Sequence, residues 1–377
     1  MATLILKATE ACNSSCAYCD VVHKPRQGPA QMSLPVLERV FHRIDEFLRE
    51  SPDEELEVVW HGGEPLLPGP AFYARAVELQ QQHCAETSAR VSHSVQTNLS
   101  LFSREFARLF RQLGMDCIGT SYDPIAGVRG PGDRPDTAAY NAKFMRGLRI
   151  AEEEGFGWGV IYVVTKLALE RPADVFYFMT NLKLDGGVNF HPVLVYGPEP
   201  RHLAITPGEF ADFLGAIFPV WWRHQDRYPE VEPFRSFVRN AREGAISLGC
   251  GDSGRCSHSH WNVAPDGSVS HCGRSADWGL LPYGTVFDHS LAEMRRDPQR
   301  QALAHRNEVL PRGECQGCRL WAICHGGCPL DAWADQHSFD HRTPWCQAKK
   351  KFVEEYFEPI TGLRCEFDAE GRTVQPA

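Results

Sequence analysis

Three cysteines stand close together near the start of the chain: Cys12, Cys16 and Cys19, spaced C-x3-C-x2-C. Thiolates packed this tightly are most useful as metal ligands. Three is an awkward number for a closed site. A disulfide takes two cysteines, a structural zinc usually takes four ligands, and a cubane iron–sulfur cluster normally takes four thiolates. Either a fourth ligand lies elsewhere in the chain, or one metal corner is left open for chemistry. Eight more cysteines crowd the last third: Cys250, Cys256 and Cys272, then Cys315, Cys318, Cys324, Cys328 and Cys346. Cys84, Cys117 and Cys365 stand apart in ordinary surroundings and read as small apolar fillers or incidental thiols.

Composition bounds what these cysteines can be. The chain has 377 residues, a net charge of −9 and 43% hydrophobic residues. That suits a large globular core. It argues against a general role on nucleic acid or a charged membrane surface. No apolar run approaches membrane-spanning length, and MATLILKATEACNSS does not read as a signal peptide. A cytoplasmic location is expected, where clustered cysteines bind metal rather than form disulfides.

The elements that must position the cysteines alternate. Strand-like runs at 4–9, 56–63, 90–98, 116–123, 157–165 and 187–195 are followed by helical patterns at 33–49, 70–87, 103–113, 137–154, 172–182 and 206–225. Strands alternating with helices imply a parallel sheet with right-handed crossovers. Six such units predict a partial (β/α)6 barrel, whose chemistry belongs on the loops after the strands. The polar signatures fall there: the cysteines after the first strand, HGGEP (61–65) after the second, QTN (96–98) at the end of the third and SYD (121–123) at the end of the fourth. The Pro- and Gly-rich stretch 124–135 is expected to be a loop over the barrel mouth. Beyond about residue 240 the chain turns cysteine-rich and turn-rich. There 262–272, NVAPDGSVSHC, predicts a hairpin, and 348–357 a closing helix. The expected division is 1–235 for the barrel and 236–377 for a small cysteine-rich domain.

C-x3-C-x2-C after the first strand, with Tyr18 before the third cysteine, resembles the signature of the radical S-adenosylmethionine (SAM) enzymes. The resemblance implies a [4Fe–4S] cluster on Cys12, Cys16 and Cys19, with SAM at the open iron. Reductive cleavage of SAM there yields a 5′-deoxyadenosyl radical that takes a hydrogen from substrate. HGGEP is similar to the family's SAM motif. Gly62 and Gly63 would allow close backbone approach, Glu64 would accept from the SAM ammonium, and Pro65 completes the motif. Thr97, Asn98 and Ser121 match positions lining the SAM ribose and methionine. Arg146 matches a partner for the SAM carboxylate, with a solvated surface arginine as the plain alternative. Tyr18 would lie near the adenine, chiefly through its backbone. A zinc site or a four-thiolate cluster borrowing a distant cysteine is the rival reading of the three cysteines.

The later cysteines resemble SPASM, an auxiliary-cluster domain. The family pattern implies auxiliary cluster I on Cys250, Cys256, Cys272 and Cys328, and auxiliary cluster II on Cys315, Cys318, Cys324 and Cys346. Three [4Fe–4S] clusters result, with zinc knuckles as the alternative. Full sets of four thiolates suit electron relay from a substrate radical. His258 and His260 would flank the site as hydrogen-bond donors, while Trp221 and Trp222 read as helix packing.

Taken together, the chain looks like the peptide-modifying maturases and the anaerobic sulfatase maturases. That implies a peptide or protein substrate and a flavodoxin- or ferredoxin-type reductant. Sulfatase maturases carry an Asp directly after the cysteine that matches Cys272. Here Gly273 stands there, and the family's Ser-x-Asp-Gly has become SYDP at 121–124. These departures lead to the expectation of a side-chain cross-linking reaction on a ribosomally made peptide, of cyclophane or thioether type. The alternatives are oxidation of Cys or Ser to formylglycine and dehydrogenation of a small molecule. Asp277 and Asp252 are the candidate bases, each with a plain turn or capping role as its alternative. With the chain starting on its first strand, a leader peptide is expected to dock on the barrel and the C-terminal domain, or to arrive on a separate partner.

Overall fold

The structure is a computed structural model, and it describes residues 1–19, 21, 31–130, 136–182, 186–195, 201–228, 230–368 and 370–374. Residues 131–135 of the expected mouth loop lie outside that set.

Strand and helix alternate through the first two thirds: β1 (Ala2–Thr9), α1 (Leu34–Glu50), β2 (Leu56–Gly62), α2 (Pro70–His83), β3 (Val91–Thr97), α3 (Arg104–Gln112), β4 (Cys117–Ser121), α4 (Thr137–Glu153), β5 (Gly157–Val164), α5 (Pro172–Thr180), β6 (Val188–Pro192) and α6 (Pro207–Arg223). The expected order is present, with ends shifted by up to a few residues. Local chemistry explains the helix starts. Ser103 and Asp136 accept from backbone amides three residues on, and Thr206 forms a reciprocal capping box with Glu209. On α1, Val36, Leu37, Val40, Phe41, Ile44, Phe47 and Leu48 recur at helical spacing and are all buried. β2 alternates strictly between buried and half-buried residues.

The chain packs as two compact units. The first is Met1–Val160 with His258–Arg300; the second is Ile161–Ser257 with Gln301–Ala377. This division by packing is a different cut from the compositional one at 235/236.

In the first unit β1 pairs in parallel with β2, β2 with β3 and β3 with β4. The hairpin is present as β8 (His260–Val263) and β9 (Ser268–Ser270), turning through Pro265-Asp266-Gly267. Gly267 takes φ +87°, the left-handed backbone such a turn needs. β10 (Pro282–Thr285) extends the hairpin. The sequence pattern did not show where the hairpin docks. β8 runs parallel to β1 on the side away from β2, with Thr3 opposite His260 and Leu6 opposite Val263. The sheet order is therefore β10-β9-β8-β1-β2-β3-β4, with β5 next.

In the second unit β6 pairs in parallel with β7 (Val231–Glu232), and α7 (Phe234–Glu243) follows. Phe218, Trp221, Phe234, Phe352 and Phe357 form one aromatic cluster with centroids 5.1–5.8 Å apart in most pairs. Trp221 is thus a packing residue whose Nε1 donates to the Tyr228 carbonyl at 2.7 Å, and Trp222 lies against Phe218. The expected closing helix runs from Cys346 to Thr361 with a π-helical stretch at Phe352–Phe357. Among the described residues no helix is long and apolar enough to cross a membrane.

Candidate functional site

The end of β1 and the cysteine loop are held against the end of β2. Gly63 N–H donates to the Thr9 carbonyl at 3.0 Å, and Glu64 N–H donates to the Ala11 carbonyl at 2.8 Å. Both glycines are required by this approach. A Cβ on Gly62 would fall well inside contact distance of the Thr9 carbonyl oxygen, and one on Gly63 inside that of Ala11. Gly62 also takes φ +122°. The space that glycine frees is thus filled by the backbone of residues 9–11.

Glu64 is buried, 1% exposed, and gathers the third strand's signature. Its carboxylate accepts from Thr97 Oγ1 at 2.6 Å, from Asn98 N–H at 2.8 Å and from Leu66 N–H at 3.0 Å. Burial pushes its pKa up to about 7, against the pull of those three donors. The Pro65 carbonyl accepts from the buried Tyr73 hydroxyl. Asn98 turns its side chain to the cysteine loop: Nδ2 lies 2.8 Å from Asn13 Oδ1, 3.2 Å from Ser14 Oγ and 3.9 Å from Cys12 Sγ. Asn13 reaches back to Ser100 Oγ at 2.8 Å. Arg146 is exposed and donates to the Ser100 carbonyl at 2.6 Å. Ser121 accepts from Gln96 Nε2 at 3.1 Å. Residues expected from three separate motifs thus share one hydrogen-bonded surface around the cysteines. Asn13 and Ser100 also belong to it, although no motif marked them.

The three thiols feel one another. Burial pushes Cys12 up to about 12, and Glu64, Cys19 and Cys16 add to the shift. Burial also raises Cys16, while Arg129 opposes it. Ser14 N–H points at Cys12 Sγ from 3.4 Å. Thiols held neutral by their surroundings, such as Cys12 with the Ser14 amide facing it, are what a bound cation would convert to thiolates.

Two acids were expected as bases, and each is ion-paired. Asp277 ends the short helix α8 (Gly273–Asp277) and takes Lys7 Nζ on Oδ1 at 2.5 Å. Lys7 is 1% exposed. Asp252, in the second unit, holds Lys349 Nζ at 2.6 Å. Lys349 in turn lies beside Cys324, whose pKa burial raises and this ammonium lowers.

In the second unit Cys318, Cys324 and Cys346 are all electrostatic neighbours of Cys315. Cys315 is pushed up to about 11, first by burial and then by the other three. Arg306 is buried and donates to the carbonyls of Gly327, His341 and Phe339 at 2.7, 2.8 and 3.0 Å. Burial lowers its pKa, and Cys328, Cys256, Cys324 and Cys315 work against that. Cys272 belongs to the first unit, where it caps α8 and its N–H donates to Ser275 Oγ. Among the described residues no three His, Cys, Asp or Glu side chains converge as a single ion requires. A cube of four irons takes each thiolate on a different iron, so its ligands need not converge.

Residues 6–176 match the family model of the Radical SAM superfamily. The chain carries a radical SAM domain. It is also 25% identical over 360 residues to a serine-type anaerobic sulfatase-maturating enzyme of Bacteroides thetaiotaomicron, covering 86% of this chain and 81% of that one. The radical SAM fold recurs in solved structures. An AdoMet and peptide complex of anSMEcpe superposes with TM-score 0.80 at 22% identity, over 96% of this chain and 98% of that one. Streptococcus suis SuiB bound to its precursor peptide SuiA superposes with TM-score 0.62 at 16% identity, over 92% of this chain and 75% of that one. The sulfatase-maturating relatives favour the formylglycine alternative over the cross-linking reaction expected from Gly273 and SYDP. A radical SAM domain implies a [4Fe–4S] cluster, and Cys12, Cys16 and Cys19 fit one, with the Ser14 amide facing Cys12 and the Gly130 amide facing Cys16.

Proposed function

We propose that this chain is a radical SAM maturase that oxidises a side chain within a polypeptide, taking Ser or Cys to formylglycine. The observation that carries the reading is the joint between the cysteine loop and the second strand. There Gly63 and Glu64 bond to Thr9 and Ala11 while Asn98 bridges Glu64 to the Cys12 side of the loop. Cys12, Cys16 and Cys19 would hold a cluster that, with SAM, supplies a hydrogen-abstracting radical. Gly62, Gly63, Glu64, Pro65, Thr97, Asn98, Ser121, Tyr18 and Arg146 form the proposed SAM surface. Likeness along most of the chain to sulfatase-maturating enzymes supports a polypeptide substrate, as do the peptides named in the two structural relatives. Under this reading 236–377 acts as a SPASM domain in which Cys250, Cys256, Cys272 and Cys328, and Cys315, Cys318, Cys324 and Cys346, hold two relay clusters. A flavodoxin- or ferredoxin-type protein in the cytoplasm serves as reductant.

One observation favours a second reading. Gly273 leaves no carboxylate directly after Cys272, and Asp277, the next acid, is tied to buried Lys7. An enzyme without a base there suits joining two side chains, because the substrate radical is then trapped by a neighbouring carbon or sulfur. Tandem mass spectrometry of the polypeptide encoded beside the gene, after anaerobic co-expression, separates the readings. Cross-linking and oxidation of Ser each remove two hydrogens, whereas oxidation of Cys also exchanges the sulfur for an oxygen from water, releasing hydrogen sulfide. A hydrazide-reactive carbonyl at one Ser or Cys is the expected result. Blocked fragmentation between two side chains, with no carbonyl, selects cross-linking. An unchanged polypeptide in cells where SAM is cleaved rules out that polypeptide and moves the substrate to a small molecule or another protein.

A further inference from the structure

A buried network grips the cysteine loop of the first unit, joining Tyr18 and Asp123 to Arg129 and Tyr140, which no motif marked. Arg129 is 5% exposed and Asp123 fully buried. The Arg129 guanidinium spends all three nitrogens on side-chain oxygens: Nε on Asp123 Oδ1, one terminal nitrogen on the Tyr18 hydroxyl, the other on the Tyr140 hydroxyl at 3.3 Å. Tyr18 closes the ring by donating to Asp123 Oδ1 at 2.9 Å. Tyr140 donates onward to the Ser121 carbonyl at 3.2 Å. Around this knot the backbones pair. Ser15 N–H donates to the Gly130 carbonyl at 2.6 Å and Ala17 N–H to that of Val128 at 2.8 Å. Cys16 is thereby set opposite Arg129, and Tyr18 places the knot between Cys16 and Cys19. Asp123 Oδ2 has no hydrogen-bond partner among the described residues.

A buried arginine and a half-satisfied buried aspartate are costly unless they are paired. Simple loop packing would be served as well by apolar side chains. The arrangement instead provides two things a cluster loop needs. One is a rigid fork that fixes the backbone of Cys16. The other is a permanent charge pair at close range in a poorly screened interior, where fixed charges act strongly. Charge and hydrogen bonding near the sulfurs set the potential of an iron–sulfur centre.

We propose that Arg129 and Asp123 are positioning residues for the cluster on Cys12, Cys16 and Cys19, fixing the loop through Tyr18 and setting the cluster's reduction potential by their opposed charges. The proposal rests on the radical SAM reading of the three cysteines. Arg129, nearest Cys16 along the paired backbones, favours the more negative reduced cluster. Asp123 opposes it.

The test is a reductive titration of the anaerobically reconstituted full chain, followed by electron paramagnetic resonance. It tracks only the signal that changes when SAM is added. Variants are Arg129→Gln, Asp123→Asn and Arg129→Lys, with iron per chain measured for each. Arg129→Gln is expected to lower the reduced-to-oxidised ratio at a fixed potential by about tenfold, roughly 59 mV for one electron. Asp123→Asn is expected to raise it. Arg129→Lys keeps the charge and loses the fork, so its potential stays near that of the parent while its iron content falls. A mere loosening of the loop would move Arg129→Gln and Asp123→Asn in the same direction, and that result overturns the proposal. Unchanged potentials in both overturn it as well. A distinct failure is a parent protein with no SAM-responsive signal, or with one that survives replacement of Cys12, Cys16 and Cys19. Either overturns the cluster assignment itself and takes the proposal with it.

Discussion

Gly63→Ala tests whether the second strand sets the position of the cysteine loop. Gly63 has no left-handed backbone to protect, so the added methyl acts by sterics alone. Its Cβ would meet the Ala11 carbonyl, with the Glu10 carbonyl also close at 2.8 Å. Two outcomes are open to the chain. It can part the segments and forfeit the Gly63–Thr9 and Glu64–Ala11 hydrogen bonds, a loss of about 2 kcal/mol at a typical ~1 kcal/mol each. Or it can keep them and strain the packing, at the upper end of ~1–3 kcal/mol because the Cβ would come well inside contact distance of a carbonyl oxygen. Either route destabilises the first unit by about 2–3 kcal/mol. For a unit of this size that lowers the melting temperature by roughly 4–12 °C. Gly114→Ala is the matched control. Its φ is +78° and nothing lies within 4 Å of its Cβ, so only the left-handed penalty of ~1 kcal/mol remains. Thermal melts of both apo variants, with iron per chain after reconstitution, complete the assay. Gly63→Ala melting with Gly114→Ala would show that the contact carries no strain. Gly63→Ala melting early but loading iron like the parent would show that β2 does not register the cysteines.

Two further outcomes are expected. His93 is buried, accepts from Trp60 Nε1 and reaches Gln80 Oε1 at 2.7 Å; burial lowers its pKa to about 3. The unfolded chain binds that proton near pH 6.5 and the folded chain does not, so stability falls as pH drops below 6.5. By pH 5 the loss is about 2 kcal/mol, and urea melts of His93→Gln at pH 7 and pH 5 should show a smaller difference than the parent's. Lys7→Met leaves Asp277 without its buried partner and should cost about 3 kcal/mol. Lys7→Met with Asp277→Asn should recover part of it, and strictly additive losses in the double-mutant cycle would count against the pair.

Much of this was legible because it is local. The alternation of β1 to α6 is carried by apolar spacing and by caps such as Ser103 and Thr206, all within a few residues of what they act on. Cys12, Cys16 and Cys19 announce themselves by spacing, and HGGEP by its glycines. The glycines' use was legible only in part. Their type promised close approach, but nothing local says that residues 9–11 are what approaches. What the pattern hides is pairing at long range. Lys7 and Asp277 are 270 positions apart, and Tyr18 and Arg129 are 111 apart. An arginine in a Gly- and Pro-rich stretch looks like solvent-facing loop until its partners are known. The docking of β8 on β1 was hidden for the same reason. A four-residue strand next to Pro-Asp-Gly declares its hairpin and not its neighbour.

That docking imposes an order in time. β1 leaves the ribosome some 250 residues before its partner β8. At ~5–20 residues per second the first strand waits roughly 12–50 s with one edge bare. Leu4 and Leu6, wholly buried at the end, spend that interval beside an open row of backbone donors and acceptors, the kind of surface on which chains stick to one another. The loop with Cys12, Cys16 and Cys19 hangs from this same waiting strand. Iron delivered before residue 263 has been made would meet cysteines on a half-built sheet. The late hairpin therefore closes the free edge of β1 long after the cysteines, and the residues that bond to their loop, have been made.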